Sequence, residues 1–400
     1  MIHILLEILR SKLSSMSFGM DDRIDRLIRK TTISMMIFGA LIIGSNRYFG
    51  SPISCATTEL PHGISQHWVD TFCWITDKKV APIQIIGNNY SRMSTSYYQF
   101  TVETLILVII VLSFPHYIWH AILGKSGYKL KNIASLISAT KQTVGSQRMT
   151  NIKELACHIQ ITRHYHRLHW TFDEDLQRRL SHLKLSKCFI QFHRKFWYQN
   201  RYFIPLMYIF IKIYYIMSIL AIFFLLEYCL GFKYVFLGLP IIGKIKSKNT
   251  SALLDESFFP QRTWCLISRQ KLGGIDETWA DCVLPINVLN NTVFSLLWFW
   301  LIFILLMSIC GLFQTLYNML PFSARSFLGH HLRAHDLYDM KDNAVVHDFI
   351  CKCPPDIILM LRLYEVELGN TLTGQVIGQL FMAFKKNYVS REDSVAIELP

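Results

Sequence analysis

Four cysteines are the residues of this chain whose placement points most directly to chemistry. Cys55 and Cys73 lie in one polar segment, Cys265 and Cys282 lie in another, and each segment stands between two long apolar stretches. Thiols oxidise to disulfides outside the cytosol and stay reduced within it. If the apolar stretches cross a membrane, both cysteine pairs fall on the same, oxidising side. The cysteines therefore predict a membrane protein whose outer face is held by disulfides.

The partners of these cysteines follow less directly. Four cysteines allow three pairings, and pairing within each segment would leave two independent loops. The intervals from Cys55 to Cys73 and from Cys265 to Cys282 are nearly equal. Equal intervals favour two bridges between antiparallel segments, Cys55 with Cys282 and Cys73 with Cys265. We take this pairing as a hypothesis, with the others still open.

Other chemistry has little support in the sequence. It contains no G-x-S-x-G, H-E-x-x-H or Walker-type glycine loop, which are motifs of common hydrolases and nucleotide enzymes. Cys351-Lys352-Cys353 lacks the second half of a zinc motif. His164 and His166 are two positions apart and share no helical face. We therefore expect no enzyme activity, no cofactor and no metal site.

Composition also indicates a membrane protein. Of the 400 residues 52% are hydrophobic and 17% are charged, whereas a soluble chain carries about 25% charge. A membrane-crossing helix needs about 20 mostly apolar residues, and four stretches meet this need. The fold class we expect is an all-α membrane protein, a four-transmembrane-helix bundle with disulfide-tied extracellular loops of small β content and a helical cytoplasmic domain. The expected order is an N-terminal segment 1–30, span 31–49, loop 50–98, span 99–122, loop 123–201, span 202–230, loop 231–287, span 288–313 and a C-terminal region 314–400.

The basic residues indicate which side faces the cytoplasm. Of the 41 Lys and Arg residues, 29 lie in the N-terminal segment, the middle loop and the C-terminal region, and 10 lie in the two cysteine-bearing loops. Basic excess marks the cytoplasmic side, so both termini are expected there. The net charge of +13 is then placed to meet anionic lipid, and we expect no nucleic-acid partner.

Five residues in or near the spans have expected roles of their own. Arg47 lines a pore or reaches back to the interface, and Lys212 is expected to reach back. Glu103 and Glu227 are candidates to pair with a base across helices. Pro115 removes a backbone donor and is expected to kink the second span, as a packing feature or as a hinge in gating.

Two sequons fall in the expected outer loops. Asn89-Tyr90-Ser91 and Asn249-Thr250-Ser251 both fit the N-glycosylation pattern. They are glycosylation candidates, and a glycan there would obstruct contact with another cell.

Tyr97-Tyr98-Gln99-Phe100 stands directly before the apolar run of the second expected span. It resembles the Tyr-Tyr-Gln-Trp signature of the innexins, the gap-junction proteins of invertebrates. Two cysteines per outer loop also fit the family. Phe100, Thr101 and Ala56 depart from its usual residues. The remaining similar segments are Met20–Leu27, Phe72-Cys73-Trp74, Phe114–Trp119 and Cys282-Val283-Leu284-Pro285-Ile286-Asn287 followed by Leu297–Trp300.

The resemblance implies a large-pore channel of the plasma membrane. Subunits, identical or mixed with other innexin-type chains, would form rings called hemichannels. Two rings on adjacent cells would dock into a gap junction that passes ions and small metabolites. It also implies that the segment Ile2–Lys30 enters the pore with Glu7 and Arg10 facing ions, although a membrane-surface helix is the alternative. An undocked hemichannel and a non-channel tetraspan adhesion protein remain open as alternatives.

Overall fold

The computed structural model describes residues 21–57, 65–76, 79–80, 96–125, 130–168, 202–246, 258–271, 273–335 and 343–397. The expected site residues Glu7, Arg10, Asn89 and Asn249 lie outside these ranges. In chain order the labelled elements are α1 (Arg23–Phe49), β1 (Ser54–Thr57), α2 (Gln66–Ile75), β2 (Lys79–Val80), α3 (Thr101–Lys125), α4 (Leu130–Gln142), α5 (Ser146–Leu168), α6 (Phe203–Leu230), α7 (Gly238–Lys246), β3 (Arg262–Lys271), β4 (Gly274–Val283), α8 (Pro285–Met319), α9 (Pro321–Ala334), α10 (Asn343–Lys352), α11 (Pro355–Leu368) and α12 (Asn370–Ile397).

In the described part of the chain, four helices, α1, α3, α6 and α8, are long and apolar enough to cross a membrane. They confirm the four-span architecture, because each contains an 18-residue stretch with a mean hydropathy of at least 1.5, the length and apolar character that a helix in lipid requires. Helix α1 begins at Arg23, ahead of the expected start at Thr31, and contains a π-helical turn at Ile28–Thr32. Helix α6 ends where Gly231 adopts φ 73°, a conformation that favours glycine at helix ends.

The chain divides into two compact units, and all four of these helices contribute to both. The helical unit comprises Met1–Arg26, Pro115–Tyr214 and Ser308–Pro400, and the sheet unit comprises Leu27–Phe114 and Tyr215–Met307.

The sheet unit contains one antiparallel sheet with the strand order β1-β4-β3-β2. Strands β3 and β4 form a hairpin that turns at Gly273, whose φ of 135° favours glycine. Along this hairpin buried and exposed side chains alternate: Thr263, Cys265 and Ile267 are buried, whereas Trp264 is exposed. One face of the hairpin therefore packs inward and the other is open.

The helical unit is built from α4, α5 and α9–α12, together with the ends of the long helices that it contains. Its apolar core includes side chains that are buried in successive turns of these helices. Gly369, with φ 81°, separates α11 from α12 and allows the chain to turn there. The buried core residues include Ile133, Ile137, Ile152, Leu155, Leu328, Leu332, Met360, Leu361, Tyr364, Val376, Ile377 and Phe381.

Candidate functional site

The two disulfides join the first cysteine-bearing loop to the second. Cys55 is bonded to Cys282, and Cys73 is bonded to Cys265, which is the pairing that the nearly equal intervals favoured. Cys55 lies directly opposite Cys282 where β1 pairs with β4, and Cys73 reaches β3 from α2. We call β1, α2, β2, β3 and β4, with their two disulfides, the disulfide cap.

Helix α2 also holds the edge strand β1 by hydrogen bonds. The backbone N–H of Cys55 donates to Asp70 Oδ1 at 2.8 Å, and the side-chain amide of Gln66 donates to the carbonyl of Cys55. Edge strands otherwise leave backbone groups open to unwanted pairing. The helix therefore holds the strand that carries Cys55 in place independently of the disulfide.

The Tyr97-Tyr98-Gln99 signature connects both loops to the start of α3. The Tyr97 hydroxyl donates to the carbonyl of Phe258 at 3.3 Å, and the Gln99 amide donates to the carbonyl of Trp74. Tyr98 is fully buried against Trp74, with ring centroids 4.9 Å apart. Burial raises the pKa of Tyr97 well above its ordinary value, so the phenol remains a neutral donor.

An aromatic cluster continues this connection to the start of α8. Phe259 lies 5.8 Å from Tyr97, 5.2 Å from Phe232 and 5.9 Å from Phe294, measured between ring centroids. Pro285 is the first residue of α8, where its missing N–H costs no helical hydrogen bond. The Asn287 side chain donates to the carbonyl of Pro260 at 2.7 Å.

The open face of the hairpin presents large apolar side chains. Trp264 is 42% exposed, Trp279 is 52% exposed and Val283 is 46% exposed. Trp279 is opposite Leu266, and Trp264 is opposite Asp281, so the two tryptophans are diagonal neighbours on one face. An exposed group of this kind is typical of a surface that meets another chain.

Arg47 and Glu103 form an ion pair between α1 and α3. Arg47 Nη1 lies 2.9 Å from Glu103 Oε1 and 3.1 Å from Oε2, and the Glu103 side chain is 51% exposed. The expectation that Glu103 would pair with a base across helices is confirmed.

The beginning of α1 is joined to α6 by a buried ion pair. Lys212 Nζ donates to Asp25 Oδ1 at 2.8 Å and to Asp22 Oδ2 at 3.4 Å, and its side chain is 2% exposed. The Tyr208 hydroxyl donates to Asp25 Oδ2 at 3.0 Å. The expectation that Lys212 would reach back to the interface is therefore wrong, because carboxylates on another helix compensate its charge where it lies.

Sequence reasoning missed this pair, although a signal was present. Asp22 and Asp25 are three residues apart and so share a helical face, and Lys212 is the one Lys or Arg between Tyr202 and Leu230. A lone cation in an apolar helix needs a partner of opposite charge. Nothing in the sequence says that this partner lies at the start of the first span.

A second ion-pair group lies within the helical unit and links the start of α1 and helix α4 to α11. Arg26 Nη2 lies 2.5 Å from Glu367 Oε1, and Lys141 Nζ lies 3.6 Å from Glu367 Oε2.

Pro115 is buried within α3, which continues as helix from Thr101 to Lys125 on both sides of it. Its role as a gating hinge stays a prediction.

Comparison with known proteins identifies similar chains. The sequence model of the innexin family matches residues 21–384. Innexin unc-9 of Caenorhabditis elegans is 24% identical, with 92% of this chain aligned to 93% of that protein. Innexin-10 of the same species is 24% identical over 92% of this chain but only 66% of its own length. Innexin-19 of Caenorhabditis briggsae is 25% identical over 77% of this chain and 69% of its own length.

Proposed function

This chain belongs to the innexin family, and from that premise we propose that it is a subunit of a large-pore channel in the plasma membrane. In this role it assembles with copies of itself or with other innexin-type subunits into a ring. Rings on adjacent cells dock into a gap junction, through which ions and small metabolites diffuse passively. The protein works without catalysis or a cofactor.

The observation that carries this proposal is the disulfide cap. Both cysteine-bearing loops contribute to one sheet, and two disulfides with sequence separations of 227 and 192 residues hold it. A channel that docks end to end needs a rigid surface on each subunit, since ordering flexible loops on contact would cost affinity. A cap braced by α2, two disulfides and the aromatic cluster meets this need.

Disulfides persist in oxidising compartments, which favours an extracellular location for the cap. Both termini are then cytoplasmic, in agreement with the basic residues concentrated in the N-terminal segment, the middle loop and the C-terminal region. Proteolysis of intact cells is the direct measurement. An N-terminal epitope tag should be protected until the membrane is permeabilised, and cleavage in intact cells would contradict this orientation.

We assign the open face of the hairpin to contact with another subunit. Trp264 and Trp279 are aromatic anchors of the type that dominates protein interfaces. A Trp279→Arg substitution should abolish currents between paired cells, because it places a charge in an apolar contact. Glu154→Arg is the control, since Glu154 is an exposed glutamate on α5, in the helical unit. Equal currents in wild type and Trp279→Arg would remove this face from the interface.

Pore-lining groups in this proposal include Glu7, Arg10 and Arg47. A charge facing the permeation path sets ion preference, and Arg47 is held in place by Glu103. Deleting residues 2–17 should change unitary conductance and selectivity if the N-terminal segment enters the pore. Conductance and selectivity that match wild type would instead favour a helix on the membrane surface.

Two measurements together test the channel itself. Full-length protein is expressed in cells without endogenous junctions; conductance between paired cells reports docking, and dye uptake by single cells reports undocked hemichannels. The Cys55→Ser/Cys282→Ser variant should lose paired-cell conductance, with Cys157→Ser as control because Cys157 is a free, exposed cysteine. The proposal would be overturned if protein that reaches the cell surface gave no current between paired cells and no dye uptake by single cells.

A further inference from the structure

We propose that Asp21, His116 and His120 form a binding site for a divalent transition-metal ion of the Zn²⁺ type. All three belong to the helical unit. His116 and His120 are four residues apart on α3, so both rings project from one face of the helix. Asp21 lies two residues before α1 begins at Arg23. The site goes beyond the channel function proposed above and does not depend on it.

The three side chains already converge. His116 Nδ1 lies 3.3 Å from Asp21 Oδ2, and the two imidazole rings have centroids 4.1 Å apart. One ligand atom from each residue lies within 4.8 Å of the others. Ligands at Zn–N and Zn–O distances of about 2.0–2.1 Å around a tetrahedral ion lie about 3.3–3.5 Å apart. The Asp21–His116 distance already fits, and the arrangement closes with small side-chain rotations.

His116 Nδ1 faces the Asp21 carboxylate without forming a hydrogen bond to it. His116 Nδ1 is buried and has no hydrogen-bond partner among the residues that the structure describes. Asp21 is 3% exposed and His116 is 5% exposed. A buried ring nitrogen is costly unless its lone pair or its proton is used. A metal ion bound between the carboxylate and the ring uses this lone pair.

The surrounding charge favours a cation. Asp21 and Asp22 both act electrostatically on Asp25, so the three carboxylates are close together. Lys212 Nζ contacts two of them, Asp25 and Asp22. A divalent ion at Asp21 adds positive charge to this acidic group. Two histidines with one carboxylate are a common ligand set for zinc and other transition metals, with the remaining positions open to water.

Such an ion would connect the residues leading into the first span to the second span. Because it binds the folded protein through groups from two parts of the chain, it would stabilise that connection according to its concentration and affinity. This departs from the expectation, based on motif spacing, that the chain has no metal site. The two histidines precede Lys125 at the end of an apolar helix, and Asp21 is distant in sequence, so no linear motif contains the set.

The test uses full-length protein purified in detergent, stripped with a chelator and titrated with Co²⁺ as a spectroscopic substitute for Zn²⁺. Cys351→Ser/Cys353→Ser forms the background, because Cys351 Sγ lies 3.8 Å from His347 Nε2 and this exposed pair is a weaker metal-binding candidate. We expect one Co²⁺ per chain, with visible absorption bands of a low-coordinate site. Adding His116→Gln and His120→Gln to this background should abolish the binding of this Co²⁺ ion. His330→Gln, an exposed histidine on α9, should leave it unchanged.

Asp21→Asn and Asp21→His separate ligation from folding. Asparagine should lose the Co²⁺ bands, and histidine should keep them because it restores a third ligand. In the same samples, Zn²⁺ should raise the unfolding temperature of the background protein and not that of Asp21→Asn. If the background protein itself binds no Co²⁺, or if His116→Gln/His120→Gln binds as much as the background, the proposal is overturned. The Asp21–His116 contact then forms without a metal.

Discussion

Lys212 of α6 and Asp25 of α1 form a salt bridge of 2.8 Å in which the two side chains are 2% and 4% exposed. Their sequence separation is 187 residues. Tyr208, one helical turn before Lys212, donates a second hydrogen bond to the same carboxylate. A charge removed from water is tolerated when it is paired and hydrogen-bonded, so this group holds the start of the first span against the third span.

Breaking this pair should cost far more than removing both members. Asp25→Asn leaves Lys212 with only its longer contact to Asp22, and Lys212→Met removes the cation that Asp25 contacts. We expect each single change to cost about 3–5 kcal/mol. The double variant should be clearly more stable than the sum of the single losses predicts. Thermal unfolding of detergent-solubilised protein provides the double-mutant cycle. Additive losses would mean that the pair is not coupled.

The disulfides should be the main covalent support of the cap. Replacing either one by serines should cost about 2–5 kcal/mol of stability, because each closes a long loop. Cys157→Ser should have almost no effect. Peptide mapping under non-reducing conditions gives an independent check. A peptide that joins Cys55 to Cys73 would contradict the pairing seen in the structure.

Two glycines of α7 make a matched pair. A Cβ added at Gly238 would overlap the ring of Trp298, whereas a Cβ at Gly243 would meet nothing within 4 Å. Gly238→Ala should therefore lose about 1–3 kcal/mol through overpacking. Gly243→Ala should gain about 0.5–1 kcal/mol, since alanine is the better helix former. The unfolding temperature should fall for Gly238→Ala and rise for Gly243→Ala. A rise for both variants would show that Trp298 is free to move aside.

Arg362 should not be replaceable by lysine. Its guanidinium donates to Asn318 Oδ1 at 2.8 Å and to Ser323 Oγ at 2.9 Å, and it lies 4.6 Å from the ring of Phe327. Burial lowers the pKa of Arg362. Lysine lacks the planar fork that makes these contacts together, so we expect a loss of about 1–3 kcal/mol.

The control for Arg362→Lys is Arg325→Lys, at an exposed position on α9. It should stay within about 0.5 kcal/mol of wild type. Chemical or thermal unfolding monitored by circular dichroism measures both. Equal effects at the two positions would show that the contacts of Arg362 do not contribute.

The Arg47–Glu103 pair should matter more for permeation than for stability. Exposed ion pairs contribute about 0–1 kcal/mol, so Arg47→Gln and Glu103→Gln should unfold almost as wild type does. If the pair faces the pore, reversal potentials in asymmetric salt should shift in opposite directions for the two variants. Unchanged reversal potentials in both would place the pair away from the permeation path.

Several features could be predicted from the sequence because they are local. Length and hydropathy of an apolar run determine whether a helix can span a bilayer, and all four long apolar helices coincide with runs visible in the chain. The cysteine positions indicated that the two loops are held by disulfides, and their intervals favoured the pairing that the structure has. Tyr97-Tyr98-Gln99 was visible as a signature, but the hydrogen bonds that Tyr97 and Gln99 donate to two distant carbonyls were not.

The number of spans, the family and the cysteines available for bridging can be predicted from residue types over short stretches. The pairing of Lys212 with Asp25, the hydrogen bond from Gln99 to Trp74 and the approach of Asp21 to His116 arise only in the folded chain. These contacts depend on which helix faces lie against each other. Apolar helices with little amphipathic character do not encode those faces in their pattern, so long-range packing had to bring the partners together.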